Sequence, residues 1–287
     1  MIDATDPIAS LRVARSFLFV PGNRPERFDK AAAAGADVVI IDLEDAVAPE
    51  DKGAAREHIA GWLAAGKHAV LRINASGTPW HADDVELAAR HGAPVMPAKA
   101  SSADEVVHVT QATAAPVLPL IETARGILAA PAIAQVPGVA RVGFGAIDFA
   151  VEIGADPDDH EALLYARSML VTASAAAGIA APIDGVTTAL RDAEKLVADV
   201  SYAARIGMTG KLCIHPAQVA TVHACLAPSD AEIAWARSIV SVAGTKSSAV
   251  AVGGHMVDPP VVARAQRILA SALDPEGTGT PGRQNSA

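Results

Sequence analysis

Eight short apolar runs recur along the chain, each followed by a longer, alanine-rich stretch of helical period, and no other feature restricts the fold as much. The runs lie at 16–20, 37–43, 68–74, 94–98, 117–121, 139–144, 181–184 and 211–214 and read as parallel strands joined by helices. The helix starts are legible too: Asn23-Arg24-Pro25-Glu26 supplies a cap residue, a proline and a first-turn acid ahead of the apolar face of Phe28, Ala31 and Ala32. An open doubly wound sheet would show the same alternation, but no glycine-rich phosphate fingerprint follows the first run. The pattern therefore predicts an α/β protein with a closed TIM (β/α)8 barrel over 16–227, and 287 residues suit such a barrel as a single domain. Beyond it, helical segments at 215–225, 230–242 and 260–273, with a glycine-bearing loop at 244–259, read as a C-terminal helical extension and lid over 228–273. Residues 1–15 form a lead, and 274–287, rich in Gly, Pro, Ser, Thr and Asn, read as a disordered tail.

Composition narrows the function classes. The formal net charge of -9 offers no general attraction to nucleic acid or to an anionic membrane, so an anionic substrate needs a local basic cluster. Aromatic residues are only 3%, which suits closely packed helices around a sheet rather than an aromatic binding surface. Cys213 and Cys225 lack metal-site spacing and are expected as free thiols in a reducing compartment. The first residues resemble neither a secretory signal nor an anchor, and no apolar stretch is long enough to span a bilayer, so the expected location is the cytoplasm.

In a barrel of this kind the active site lies at the C-terminal ends of the strands, so a charged residue that closes an apolar run is a candidate for chemistry. Consecutive runs deliver Asp42, Glu44 and Asp45, then Arg72 and Asn74, then Lys99, then Glu122, and then Asp148 to one rim. Glu122 and Asp148, from neighbouring strands, form a carboxylate pair for one divalent ion, and the lack of His or Cys partners favours Mg²⁺ or Mn²⁺ over zinc. Helix capping or pairing with Arg125 would account for the same carboxylates. Asp42, Glu44 and Asp45 either hold metal-bound waters and orient Arg72 or supply helix N-terminal charge. Arg72 offers a fixed fork for a developing oxyanion, or a buried ion pair with one of these acids. Arg24, Arg27 and Lys30, beside the Pro21-Gly22 turn, fit a phosphate-bearing ligand or an ordinary solvated helix face. Lys99 as a Schiff-base lysine is the weaker reading, since the carboxylate pair would then be idle. His215, next to Pro216, reads with Cys213 as a strand-to-helix junction rather than a catalytic pair.

Several ordered blocks are also familiar. Phe17-Leu18-Phe19-Val20-Pro21-Gly22-Asn23-Arg24-Pro25-Glu26-Arg27-Phe28, Ile41-Asp42-Leu43-Glu44-Asp45-Ala46-Val47, Leu71-Arg72-Ile73-Asn74, Pro119-Leu120-Ile121-Glu122-Thr123-Ala124-Arg125-Gly126, Cys213-Ile214-His215-Pro216-Ala217-Gln218 and His255-Met256-Val257-Asp258-Pro259-Pro260 together cover most of the chain. In them the chain resembles the HpcH/HpaI aldolase/citrate lyase family, in its citrate lyase beta subunit-like, malyl-CoA and citramalyl-CoA lyase branch. The resemblance implies a TIM barrel that uses Mg²⁺ to break or form a bond between the α-carbon of an acyl-CoA and the carbonyl of a small keto acid, and it implies a homotrimer or a multiple of trimers. It makes Glu122 and Asp148 the metal ligands, with Glu122 also lining the substrate site. Arg72 becomes the binder of the substrate oxygen, and Arg24 and Lys30 approach the CoA phosphates. Asp258 becomes an acid/base residue that the lid carries to a neighbouring subunit, and Glu44 joins Arg72 and Asp258 among the catalytic candidates. Two blocks depart from the family pattern: Ile147-Asp148-Phe149 lacks the usual preceding acid, and Gly253-Gly254-His255 replaces a glycine-lysine type. The alternatives are a metal-dependent aldolase acting on free pyruvate and aldehydes, and a citrate lyase beta subunit working with an acyl-carrier protein.

Overall fold

The structure, a computed structural model, describes residues 7–190, 192–243, 250–252 and 255–272. They fall into two compact units that divide between Leu226 and Ala227. In the first unit all eight expected strands form, as β1 (Ser16–Pro21), β2 (Val38–Asp42), β3 (Val70–Ile73), β4 (Val95–Pro97), β5 (Leu120–Ile121), β6 (Gly143–Phe144), β7 (Ile183–Asp184) and β8 (Gly210–Cys213). They pair in parallel in the order β4-β3-β2-β1-β8-β7-β6-β5. The ring is closed by parallel bridges from Val95 to Val117 and from Val117 to Val139.

Strand alternation sorts the side chains into two cores. Phe17, Ile40, Val70, Met96, Leu118, Leu120, Ile183 and Leu212 pack together inside the barrel. Their neighbours, among them Leu18, Val39, Ile41, Leu71 and Ile121, face outward into a larger cluster with the helices. Those helices are α2 (Phe28–Ala32), α3 (Lys52–Ala64), α4 (His81–His91), α5 (Ala103–Thr113), α6 (Ala124–Ala134), α7 (Ala146–Ile153), α8 (Leu164–Ala177), α9 (Ala193–Arg205) and α10 (Val219–Leu226). A further helix, α1 (Pro7–Val13), lies within the expected lead, and Leu11 and Ala14 join the inner core.

Arg141 is fully buried beside them. Its guanidinium donates to the carbonyls of Ala14, Ala181, Leu11 and Pro182 and to the Thr209 hydroxyl. Among the described residues no carboxylate bonds it, and burial pushes its pKa down to about 9.

The second unit contains α11 (Asp230–Ala243) and α12 (Pro259–Ala272), which enclose Ala236, Ile239, Val257 and Ala265. The expected loop at 244–259 is not loop throughout. Val250–Val252 and His255–Val257 pair antiparallel as β9 and β10, as their β-branched residues favour. Residues 253 and 254, and the tail expected at 274–287, lie outside the described residues. Among the described residues no helix is long and apolar enough to cross a membrane.

Candidate active site

The same alternation that fills the barrel decides which charges reach its mouth. Two residues past the inner-core positions Ile40, Val70 and Leu120 stand Asp42, Arg72 and Glu122. Asp42 and Arg72 are register partners across β2 and β3. Arg72 donates through Nε to Asp42 Oδ1 at 2.7 Å and through Nη2 to Oδ2 at 2.6 Å, a bidentate pair. Burial works against the guanidinium charge, yet the Asp42 hydrogen bonds hold its pKa above the ordinary range. The ion-pair reading of Arg72 is thus correct, and it leaves Nη1 directed elsewhere, 3.2 Å from Glu44 Oε2. Gly22 allows the β1 turn to close on β2, because a Cβ there would lie 2.8 Å from the Asp42 carbonyl oxygen.

Glu122, at the end of β5, is 3% exposed, and burial raises its pKa to about 8. Its Oε1 accepts the backbone N–H of Lys99 at 2.8 Å. Gly145 makes room for it, since a Cβ at that position would fall 2.3 Å from Glu122 Oε2. Asp148 lies in the first turn of α7 with its side chain 40% exposed. Lys99 links the acids: Nζ is 3.3 Å from Asp148 Oδ2 and 3.6 Å from Asp45 Oδ2, and it donates to Glu44 Oε1. Burial opposes its charge, but Glu44 and Glu122 outweigh that and hold its pKa above the ordinary lysine value. An amine kept protonated in this way is unsuited to Schiff-base attack. Burial is likewise the main cause of the raised pKa of Glu44.

Arg72, Glu44, Glu122 and Asp148 therefore meet at one rim. Among the described residues no group of three His, Cys, Asp or Glu side chains is arranged to hold a metal ion by itself. Two carboxylates whose like charges repel, Glu122 and Asp148, fit a hard cation whose other positions go to water and substrate oxygens. Arg24 is exposed on the turn after β1 and paired with Glu26 at 2.7 Å, and Lys30 is exposed on α2. Asp258 belongs to the second unit, where its Oδ1 accepts the Val261 N–H at 3.1 Å and caps α12. His215 caps the turn at Pro216–Gln218, and Cys213 is buried with its thiol pushed up to about 11.

The residue that spacing does not reveal is Lys52. It is 4% exposed, and its Nζ donates to the carbonyls of Leu43 and Glu44 and to Asn74 Oδ1, with the Trp80 ring 4.8 Å away. Asn74 in turn donates to Leu43 O and Asp84 Oδ2. This buried network fixes the backbone from which Glu44 projects. In the sequence Lys52 is one cation near a helix start, indistinguishable from a solvated one.

A family model described as HpcH/HpaI aldolase/citrate lyase matches residues 15–216. A citrate lyase subunit beta-like protein of Mycobacterium tuberculosis is 38% identical over 263 residues, covering 89% of this chain and 94% of its own length. The L-malyl-CoA/beta-methylmalyl-CoA lyase of Rhodobacter capsulatus is 33% identical over 313 residues, covering 93% and 97%. The crystal structure of CitE from Mycobacterium tuberculosis in complex with magnesium, acetoacetate and coenzyme A has a TM-score of 0.81 and 36% identity, covering 92% of this chain and all of that one. The barrel with its strand-end acids and the match along nearly its whole length place this chain in the HpcH/HpaI aldolase/citrate lyase family, as a carbon–carbon lyase.

Proposed function

We propose that the protein is a Mg²⁺-dependent lyase that cleaves, or forms, 3-hydroxyacyl-CoA thioesters, yielding an acyl-CoA and a small keto acid. The observation that carries this reading is the convergence of Glu122, Asp148 and Arg72 at one rim, in a chain similar to a structure that holds magnesium, acetoacetate and coenzyme A. Mg²⁺ or Mn²⁺ held by Glu122 and Asp148 would polarise the substrate oxygens. On cleavage the substrate hydroxyl gives its proton to solvent water, its C–O bond becomes the keto-acid carbonyl, and the electron pair of the broken carbon–carbon bond passes to the thioester as an enolate. Arg72, fixed by Asp42, stabilises the enolate oxygen with Nη1. Glu44 orients that guanidinium face. Asp258, having taken up a proton from solvent, delivers it to the enolate carbon, which becomes a methyl or methylene. Its Oδ1 is engaged by Val261, which leaves Oδ2 for the transfer. In this reading Arg24 and Lys30 meet the CoA phosphates, and the chain works as a homotrimer in which Asp258 serves a neighbouring subunit.

The test is an activity panel with Mg²⁺, acyl-CoA thioesters and glyoxylate or pyruvate. Saturable turnover of CoA substrates, weakened in Arg24→Ala and Lys30→Ala, is expected. Turnover of free pyruvate with aldehydes and no CoA dependence would favour the aldolase, and activity only on an acyl-carrier thioester would favour the citrate lyase beta role. Asp258→Asn should lower turnover about 100-fold or more while metal binding persists. Mixing inactive Asp258→Asn and Glu122→Gln chains should restore part of the activity if the residue crosses between subunits.

A further inference from the structure

Lys99 touches both carboxylates to which the proposed function gives the metal, and it does so with two different groups. The backbone N–H holds Glu122 Oε1, while the ammonium stands 3.3 Å from Asp148 and bonds Glu44. To do both, the residue adopts a left-handed backbone, with φ +52°. Glycine enters that conformation freely and lysine does not. The Glu44 carboxylate is thereby occupied from two sides, by Lys99 at Oε1 and by Arg72 at Oε2.

We infer that Lys99 is a resident counter-cation of the metal site: it competes with the divalent ion for Asp148 and keeps Glu44 from becoming a third carboxylate ligand. The inference rests on the reading of Glu122 and Asp148 as metal ligands. When metal binds, Asp148 exchanges its contact with the ammonium for the ion, and Lys99 stays on Glu44. Two consequences follow from charge alone. A fixed positive charge one hydrogen-bond length from a ligand weakens the metal, and a Glu44 that remains engaged leaves coordination positions to substrate oxygens. Lys99 is on this account a positioning residue that trades metal affinity for open positions.

Titration calorimetry with Mg²⁺ and Mn²⁺, together with water-proton relaxation of the Mn²⁺ form, tests this. Lys99→Met and Lys99→Gln should each bind metal about tenfold more tightly than the unmodified protein, with weaker relaxation enhancement because fewer exchangeable waters remain. Lys99→Arg, which retains the charge, should stay within about threefold. Unchanged or weaker binding by both neutral variants, with undiminished relaxation, overturns the inference while leaving the metal site standing. Binding by Glu122→Gln equal to that of the unmodified protein overturns the metal-ligand reading itself, and the inference with it. Gln serves beside Met because it keeps a polar partner for Glu44 should the apolar side chain fail to fold.

Discussion

At the scale of single residues the site is governed by the cost of holding acids out of water. Glu122 keeps its proton up to about pH 8, whereas the unfolded chain releases it near the ordinary value of 4.5. Between those values the folded protein carries more protons, so this group lowers stability as pH rises through the window. A divalent ion held by Glu122, as proposed, would reverse the balance by favouring the charged carboxylate. Without added metal, the melting temperature of the protein relative to that of Glu122→Gln should fall from about pH 5 to about pH 8, and Mg²⁺ should raise it most at the upper end. A pH-independent difference between the two, measured by thermal melts across that range, would remove Glu122 from this role. The acids themselves are legible because each ends an apolar run or follows it within a few residues. Their partners were not: that Lys99 would hold Glu122 by its backbone and Glu44 by its ammonium depends on a left-handed turn that no local sequence signal marks.

Among the elements, strands were more legible than the connections that position them. All eight runs became strands because each is an apolar stretch bounded by turn or charge. β5, β6 and β7 came out shorter than expected, two residues each. Prolines explain part of this, since Pro116, Pro119 and Pro182 have no N–H to give a ladder, and pairing there is carried by isolated bridges. The β9-β10 pair is not legible in the sequence because its strands are three residues each and the neighbouring glycines at 244, 253 and 254 dominate the pattern. The connection from β2 to α3 is the other case. Lys52 ties that connection to Asn74, just past the end of β3, and only the folded chain shows it. Lys52→Met would leave the Glu44 carbonyl and Asn74 Oδ1 buried without this donor, at a cost of about 3 kcal/mol. Urea unfolding measures the loss. Beyond lost stability, the variant should show a lower kcat with little change in metal affinity, because Glu44 moves and Glu122 does not.

For the barrel as a whole, the floor opposite the catalytic rim is closed by Arg141 rather than by an ion pair. Its acceptors are carbonyls from the α1 segment and the lead into β7, with a hydroxyl just before β8. Arg141→Met keeps the apolar bulk but strands the buried Ala14 carbonyl and the part-buried Ala181 carbonyl, and unfolding free energy should drop by about 3 kcal/mol with active-site metal binding intact. A change in metal affinity without a change in stability would contradict the separation of floor and rim. The same guanidinium has a consequence for biosynthesis. It gathers chain from Leu11, Ala14, Ala181 and Thr209, and β1 acquires its second neighbour only when β8 arrives. On a ribosome the first strand therefore waits with an open seam until nearly the whole barrel has emerged, so the ring closes late, and the nascent chain is exposed to mispairing for most of its synthesis.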